Sequence, residues 1–374
     1  MDDASADTAT LAPDRPPAPD AGTIRPAIDG DIHAVQSLLA SQLARQRRRA
    51  ERFSAEAARL WRRLESTVPG GKMTRPRLVA LGFDAFGGGD REPMHRLACA
   101  FELLHAALLI HDDVIDRDVL RRGNPTVGAS YAERAAAQRA PHARHAGDSV
   151  AIIAGDLLLA AAVRLAADAV AGRREADDVL DAFHGAVEAA AAGELEDVLL
   201  SWGDEPAPLA DVLRMERLKT ASYSFEAPLR AGALLAGADP VAAAALAAVG
   251  RELGAAYQIA DDVLGTFGHP GATGKPSDSD LREGKSTVLT ALAVQDPEAA
   301  SLLRADRDAR RRGEDPDPAA AKRALQASGA PGEARRIASA LCRSALDRAA
   351  GLKLPSGVVL EIERLGALVM QRCS

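Results

Sequence analysis

Residues 101–123 read FELLHAALLIHDDVIDRDVLRRG. An apolar helical run ending in Leu108, Leu109 and Ile110 passes straight into Asp112, Asp113, Asp116 and Asp118, with Arg121 and Arg122 close behind. Carboxylates buried at the end of an apolar run are costly unless they are paired with cations or coordinate a metal. On a helix Asp112 and Asp116 share one face, about 40° apart around the axis. Two carboxylates so placed suit Mg²⁺ or Mn²⁺, which take hard oxygen donors. The alternative is an acidic helix end paired locally with Arg117, Arg121 and Arg122.

A second stretch, residues 251–268, reads RELGAAYQIADDVLGTFG and repeats the pattern at Asp261 and Asp262. Tyr257, Ile259, Val263 and Leu264 surround that pair with apolar groups, which argues against a chance surface pair. One turn on, where a third carboxylate would follow, stands Gly265. Two acidic helices with scattered turn cations suggest a bridging anion of several charges. Diphosphate suits this, because Mg²⁺ shares its shell with substrate phosphates. The cations are Lys72, Arg75, Arg121, Arg122, Lys219, Lys275 and Lys285. Several sit in turns bounded by Gly71, Gly274 or Gly284, where glycine lets the backbone approach an anion. Lys219 and Thr220 fall in MERLKTASYSFEAP, where Ser222 and Ser224 add hydroxyls.

Around these stretches the chain reads as helix. It has 374 residues, 47% hydrophobic but only 3% aromatic, and no segment sustains period-two alternation. Helices are expected over 31–66, 76–86, 93–118, 148–171, 176–202, 208–236, 240–267 and 286–295, with shorter ones to 371. Loops are expected at 135–147 and 268–284, and 307–320 reads as an exposed charged insertion. Residues 1–27 read as a disordered tail, and 28–374 as one all-α domain. The arginine-rich run from Arg45 to Arg52 reads as a solvated helix face. A net charge of −7 argues against nucleic acid as a partner. Charges interrupt the longest apolar runs, 150–170 and 227–250, before the roughly 20 clean residues of a membrane span. Three scattered cysteines, Cys99, Cys342 and Cys373, point to a reducing cytoplasm and no zinc site. No Walker loop, Rossmann glycine pattern or Gly-x-Ser-x-Gly elbow occurs in its required context.

In order along the chain, these motifs resemble the trans-type isoprenyl diphosphate synthases of the polyprenyl synthetase family, over roughly residues 35–371. The likeness is greatest to bacterial geranylgeranyl diphosphate synthases. The resemblance implies a single large helical bundle of the isoprenoid synthase type with a central active-site cavity, and a homodimer. Asp112-Asp113-Val114-Ile115-Asp116 matches the first aspartate-rich motif, whose Mg²⁺ holds the allylic diphosphate, and Asp261 and Asp262 match the second. Lys72 and Arg75 in Gly70-Gly71-Lys72-Met73-Thr74-Arg75-Pro76, with His105, match the isopentenyl diphosphate clamp. Arg121 would face the allylic diphosphate and Arg122 the isopentenyl one. Lys219, Thr220 and Gln258 match residues lining the reacting allylic carbon, and Lys275 and Lys285 match the lysines of a closing loop. Ala107 and Leu108, before the first motif, match the positions that set product length. With no aromatic there, geranylgeranyl diphosphate is expected. Gly265 departs from the family pattern and weakens the expectation of metal affinity on that side. A farnesyl or longer polyprenyl diphosphate synthase, a class I terpene cyclase and a non-catalytic partner subunit remain as alternatives.

Overall fold

Two runs of apolar side chains at helical spacing open the fold, α1 (Ile24–Ala50) and α2 (Ala55–Thr67). The computed structural model describes residues 24–69, 71–203, 205–268, 281–282, 284–314 and 316–373. The helix expected over 31–66 is thus two: the chain turns at Glu51–Phe53, and Ser54 caps α2 by accepting from the Ala57 amide at 3.0 Å. α1 also begins inside the stretch read as a tail. Ile24 and Ile28 are buried, so their apolar surface draws Ile24–Ala27 into the fold. Residues 1–23 lie outside the described residues.

α3 (Thr74–Ala85) and α4 (Arg91–Ile115) follow, then a two-stranded hairpin of β1 (Leu120–Arg121) and β2 (Asn124–Pro125). α5 (Val127–Ala137) and α6 (Ala143–Val170) reduce the loop expected over 135–147 to 138–142. Thr126 caps α5, and α5 and α6 pack against each other, which extends both helices into the Ala- and Arg-rich stretch. α7 (Ala176–Trp202) runs to the next turn.

The segment expected as one helix over 208–236 is three pieces: α8 (Leu209–Glu216), a π-helix (Arg217–Glu226) and α9 (Ala227–Leu235). Pro228 stands at the start of α9. It has no amide to donate, and its ring collides with the carbonyl four residues back, so the preceding turns cannot continue as a regular α-helix. The wider helix is marked by the Ala227 amide reaching the Ser222 carbonyl, five residues back.

α10 (Pro240–Phe267), α11 (Val288–Ala293), α12 (Pro297–Arg311), α13 (Pro318–Ala327), α14 (Ala330–Gly351) and α15 (Ser356–Cys373) complete the chain. α4 packs on α1, α3, α6 and α9, and α10 on the π-helix, α9, α14 and α15. Small residues bring these helices close. Gly82 of α3 and Gly232 of α9 face each other's backbones; a Cβ on either would lie 2.2 Å or 2.1 Å from a carbonyl oxygen, of Leu229 and Val79 respectively. Between α4 and α7, Phe101 meets Phe183 edge to face at 5.0 Å. α6 is long and apolar enough to cross a membrane by length and composition, although Asp156 and Arg164 interrupt it. Its inner face is packed on α4 and α5.

Candidate active site

A cavity of about 1190 Å³ opens between α4, α7, α8, the π-helix, α10 and the end of α15. One stripe of α4, at spacings of three and four residues, forms a wall: Glu102, His105, Leu108, Leu109, Asp112, Ile115 and Asp116. Both aspartates expected to share a helix face therefore reach the same space. Asp113 does not; it is buried against Arg121 Nε at 2.5 Å, and burial lifts its carboxyl to about 6 despite that cation. Ala107 is buried and does not line the cavity.

The chain leaves α4 through a turn in which Arg117 adopts the left-handed conformation (φ 59°). The Asp118 amide returns to the Asp113 carbonyl at 2.9 Å, and the Arg117 amide to Val114. The hairpin then reverses at Arg122 and Gly123, both with positive φ (51° and 74°), as a two-residue turn requires. Arg121 is directed back to Asp112, Asp113 and Asp118, at 3.0, 2.5 and 3.5 Å. Arg122 faces the cavity from the other side of the turn.

Across the cavity the π-helix presents Lys219 and Thr220. Lys219 Nζ lies 2.7 Å from Asp197, 2.9 Å from Glu194 and 3.3 Å from Asp112. Burial works against its charge, but Asp112, Asp197 and Glu194 outweigh burial and hold its pKa above the ordinary lysine value. Glu194 and Asp197 of α7 escaped sequence reasoning, since single acids on a long helix usually face solvent. Gly193 makes this geometry possible: a Cβ there would sit 2.1 Å from the Lys219 amide nitrogen.

The second aspartate pair lines the cavity from α10, with Gln258 and Gly265. Asp261 pairs with Arg372 of α15 at 2.6 Å, and Arg372 also donates to Tyr257 Oη at 2.7 Å and covers its ring. Asp262 accepts from Gln258 at 2.9 Å and from the Val288 amide that opens α11 at 3.4 Å. Beside it Glu216 is buried, and burial together with Asp262 pushes its carboxyl well above the usual range. Arg372 and Glu216 carried no readable signal, because only folding brings them from 110 residues downstream and 45 upstream to the α10 aspartates.

A cationic corner occupies the remaining side. Arg75 donates to Ser224 Oγ at 2.6 Å and Tyr223 Oη at 3.2 Å, and its guanidinium lies 4.7 Å from the Tyr223 ring centroid. Tyr223 Oη is 3.3 Å from His105 Nδ1. Burial, then Arg75, Arg122 and Arg121, pull the His105 pKa well below its ordinary value, so the imidazole is neutral. Burial also lowers the Lys72 amine, with Arg372 and Arg122 adding to it and Asp261 opposing. Lys285 reaches the first aspartate motif, 2.5 Å from Asp116. The other loop lysine, Lys275, lies outside the described residues.

Part of the stretch read as an exposed insertion, 307–320, is instead packed against the end of α7 and the segment before α11. Arg307 donates to the carbonyls of Leu200 and Gly203 and to Ser286 Oγ, and Arg310 to the Leu281 carbonyl. Arg307 caps the C-terminal end of α7, as cations do at a helix C-terminus, and both arginines anchor the segment around Lys285. Charge alone could not reveal that these side chains point inward.

Among the described residues, no three or more His, Cys, Asp or Glu side chains form a closed metal cage. The donors instead form two pairs of hard oxygen ligands around one cavity, rimmed by cations. That set fits a divalent metal whose shell is completed by phosphate and water.

A family model described as polyprenyl synthetase matches residues 58–322. The chain is 39% identical over 232 residues to a geranylfarnesyl diphosphate synthase of Aeropyrum pernix, covering 60% of this chain and 67% of that one. With a (2E,6E)-farnesyl diphosphate synthase of Mycobacterium bovis it shares 33% identity over 310 residues, covering 81% and 80%. The chain spans about two thirds of the length of the first curated relatives it matches. A geranylgeranyl pyrophosphate synthase from Corynebacterium glutamicum, solved with isoprenyl diphosphate and magnesium, matches with a TM-score of 0.85 at 32% identity. The match covers 92% of this chain and 99% of that one.

Proposed function

The chain belongs to the polyprenyl synthetase family, and on that premise we infer that it is a chain-elongating prenyltransferase. It joins isopentenyl diphosphate to an allylic diphosphate in a trans 1′-4 condensation and releases diphosphate. The observation that carries this is that one cavity is lined both by two aspartate pairs, Asp112 with Asp116 and Asp261 with Asp262, and by a set of cations, Lys72, Arg75 and Arg122. A terpene cyclase, which binds one diphosphate, has no use for that set.

Held by the two aspartate pairs, Mg²⁺ (or Mn²⁺ in its place) would neutralise and orient the allylic diphosphate as it leaves. Arg121, Lys219 and Lys285, now paired with carboxylates, stand where they can take up the leaving group's charge. The allylic C–O bond breaks, and diphosphate departs with the electron pair. The alkene of isopentenyl diphosphate then attacks the allylic cation, and a proton passes to the departing diphosphate. Thr220 and Gln258 line the reacting carbon. Leu108, Leu109, Leu195 and Val198 keep that part of the cavity apolar, which protects a cation that water would quench. Neutral His105 serves the isopentenyl diphosphate by hydrogen bonding, with Tyr223 alongside.

The main product is geranylgeranyl diphosphate, and Ala107 and Leu108 set its length, Leu108 being the one that lines the cavity. Purified enzyme with Mg²⁺, isopentenyl diphosphate and each allylic starter should yield geranylgeranyl diphosphate as the main product, and EDTA should stop turnover. Leu108→Phe should shift the product to farnesyl diphosphate. Farnesyl diphosphate alone from wild type, or an unchanged product from the variant, would refute the assignment.

The enzyme acts in the cytoplasm as a homodimer. Exposed Ile152, Ile153, Leu157 and Val163 on α6, with Leu199 and Trp202 on α7, support an apolar dimer face. Light scattering after gel filtration should give twice the chain mass of 39.0 kDa. A monomer at micromolar concentration would exclude it.

A further inference from the structure

Glu102 lines the cavity beside the cationic corner. It stands one helical turn before His105 on α4, and its side chain is 4% exposed. A carboxylate next to an anion site repels the anion, so its presence calls for a reason. Its surroundings supply one. The position a Cβ would take on Gly71 lies 3.0 Å from Glu102 Oε1 and 3.7 Å from Arg122 Nη2. A side chain at Gly71 would therefore crowd the acid and come into ordinary contact with the guanidinium. Glu102 Oε2 is buried without a hydrogen-bond partner among the described residues, as is Arg75 Nε. Arg122 makes no direct ion pair among the described residues; burial pushes the Glu102 carboxyl above its ordinary value, and the fields of Arg75 and Arg122 oppose that shift.

We propose that Glu102 is a positioning residue of the isopentenyl diphosphate clamp: its carboxylate, held behind Gly71, orients Arg75 and Arg122 toward the diphosphate. In the empty site it also offsets the mutual repulsion of Lys72, Arg75 and Arg122, three cations gathered around a neutral imidazole. Guanidinium recognition of a phosphate depends on the direction of the planar fork, and a fixed counter-charge behind the fork limits its rotation. Arg75 has Tyr223 and Ser224 to hold its far end. Arg122, placed on a two-residue turn, has only the field of Glu102 across the Gly71 backbone, with no direct hydrogen bond or ion pair between them among the described residues.

This rests on assigning the corner to isopentenyl diphosphate, so the test separates the two. Isothermal titration of wild type with isopentenyl diphosphate alone asks whether the corner binds it; steady-state kinetics ask what Glu102 contributes. Glu102→Gln keeps the shape and removes the charge. It should raise KM for isopentenyl diphosphate on the order of 10-fold, as loss of an outer hydrogen-bonding partner does elsewhere. KM for the allylic substrate and kcat should stay within about twofold of wild type. Glu102→Asp, which keeps the charge, should recover part of the loss. Gly71→Ala, which crowds Oε1 from the loop side, should reproduce the Glu102→Gln effect even if that variant does not fold. An unchanged or lowered KM for isopentenyl diphosphate in Glu102→Gln and Gly71→Ala would overturn the proposal, as would an equal rise for both substrates. If wild type binds isopentenyl diphosphate without condensing it, and Glu102→Gln weakens that binding, the condensation reading fails and the positioning role stands.

Discussion

Asp112→Asn should leave a folded protein whose condensation rate has fallen on the order of 10³-fold at saturating Mg²⁺, the scale seen when one charge-stabilising contact is removed from an active site. Asp112 stands at the junction of the site, with one oxygen 3.0 Å from Arg121 and the other 3.3 Å from Lys219. Losing its charge removes half of the first aspartate pair and one carboxylate partner from each of two cations. Stability should change little. Lys219 keeps Asp197 and Glu194, Arg121 keeps Asp113 and Asp118, and a carboxylate that crowds Asp116 is gone. Asp113→Asn is the informative contrast. It breaks a buried pair with Arg121 but removes no group from the cavity wall, so its rate loss should be much smaller. Both are read from kcat over a Mg²⁺ titration and from thermal midpoints. An Asp112→Asn enzyme within tenfold of wild type, or one no more impaired than Asp113→Asn, would show that α4 does not carry the metal.

Gly193→Ala should damage both stability and rate, although it adds only one methyl group. The added methyl would stand 2.1 Å from the Lys219 nitrogen, 2.5 Å from its Cα and 2.7 Å from the Leu218 carbonyl carbon. All three are backbone atoms of the π-helix and cannot rotate away, so α7 and the π-helix must separate. Overpacking of this kind costs about 1–3 kcal/mol, and backbone-to-backbone collision belongs at the top of that range. Moving the π-helix also displaces Lys219 and Thr220, and a shift near 1 Å at a positioning group can cost about 10²-fold in rate. Gly185→Ala on the same helix is the control, with nothing within 4 Å of the new methyl. Helix propensity favours that change by up to about 1 kcal/mol. Urea unfolding and kcat on both variants check the pair; equal behaviour would mean that the α7–π-helix contact does not govern Lys219.

Much of the site was legible because it obeys local rules. Asp112 and Asp116 share a face by helical spacing alone, and Lys72, Arg75, His105 and Lys219 stand in short motifs that keep their order along the chain. What escaped was of two kinds. Residues such as Glu194, Asp197 and Arg372 look like ordinary surface charges until α7 and α15 close over α4 and α10. The π-helix hid because apolar periodicity over 208–236 continues through it; Pro228 was the one local sign that the hydrogen-bond ladder could not. The Arg307–Arg311 stretch misled in the same way, since a charged run looks solvated unless the carbonyl ends of another helix lie beside it.

By itself the sequence determined the all-helical class, the two aspartate pairs and the cations that surround them. Those features depend on residues within a few turns of one another, where spacing dictates direction. Only the tertiary structure decided which member of each motif faces the cavity. It separated Asp112 and Asp116 from Asp113, and Leu108 from Ala107, because neighbours on one helix differ by about 100° and the packing partners choose the buried side. Those partners lie far away in the chain, and no local pattern records them.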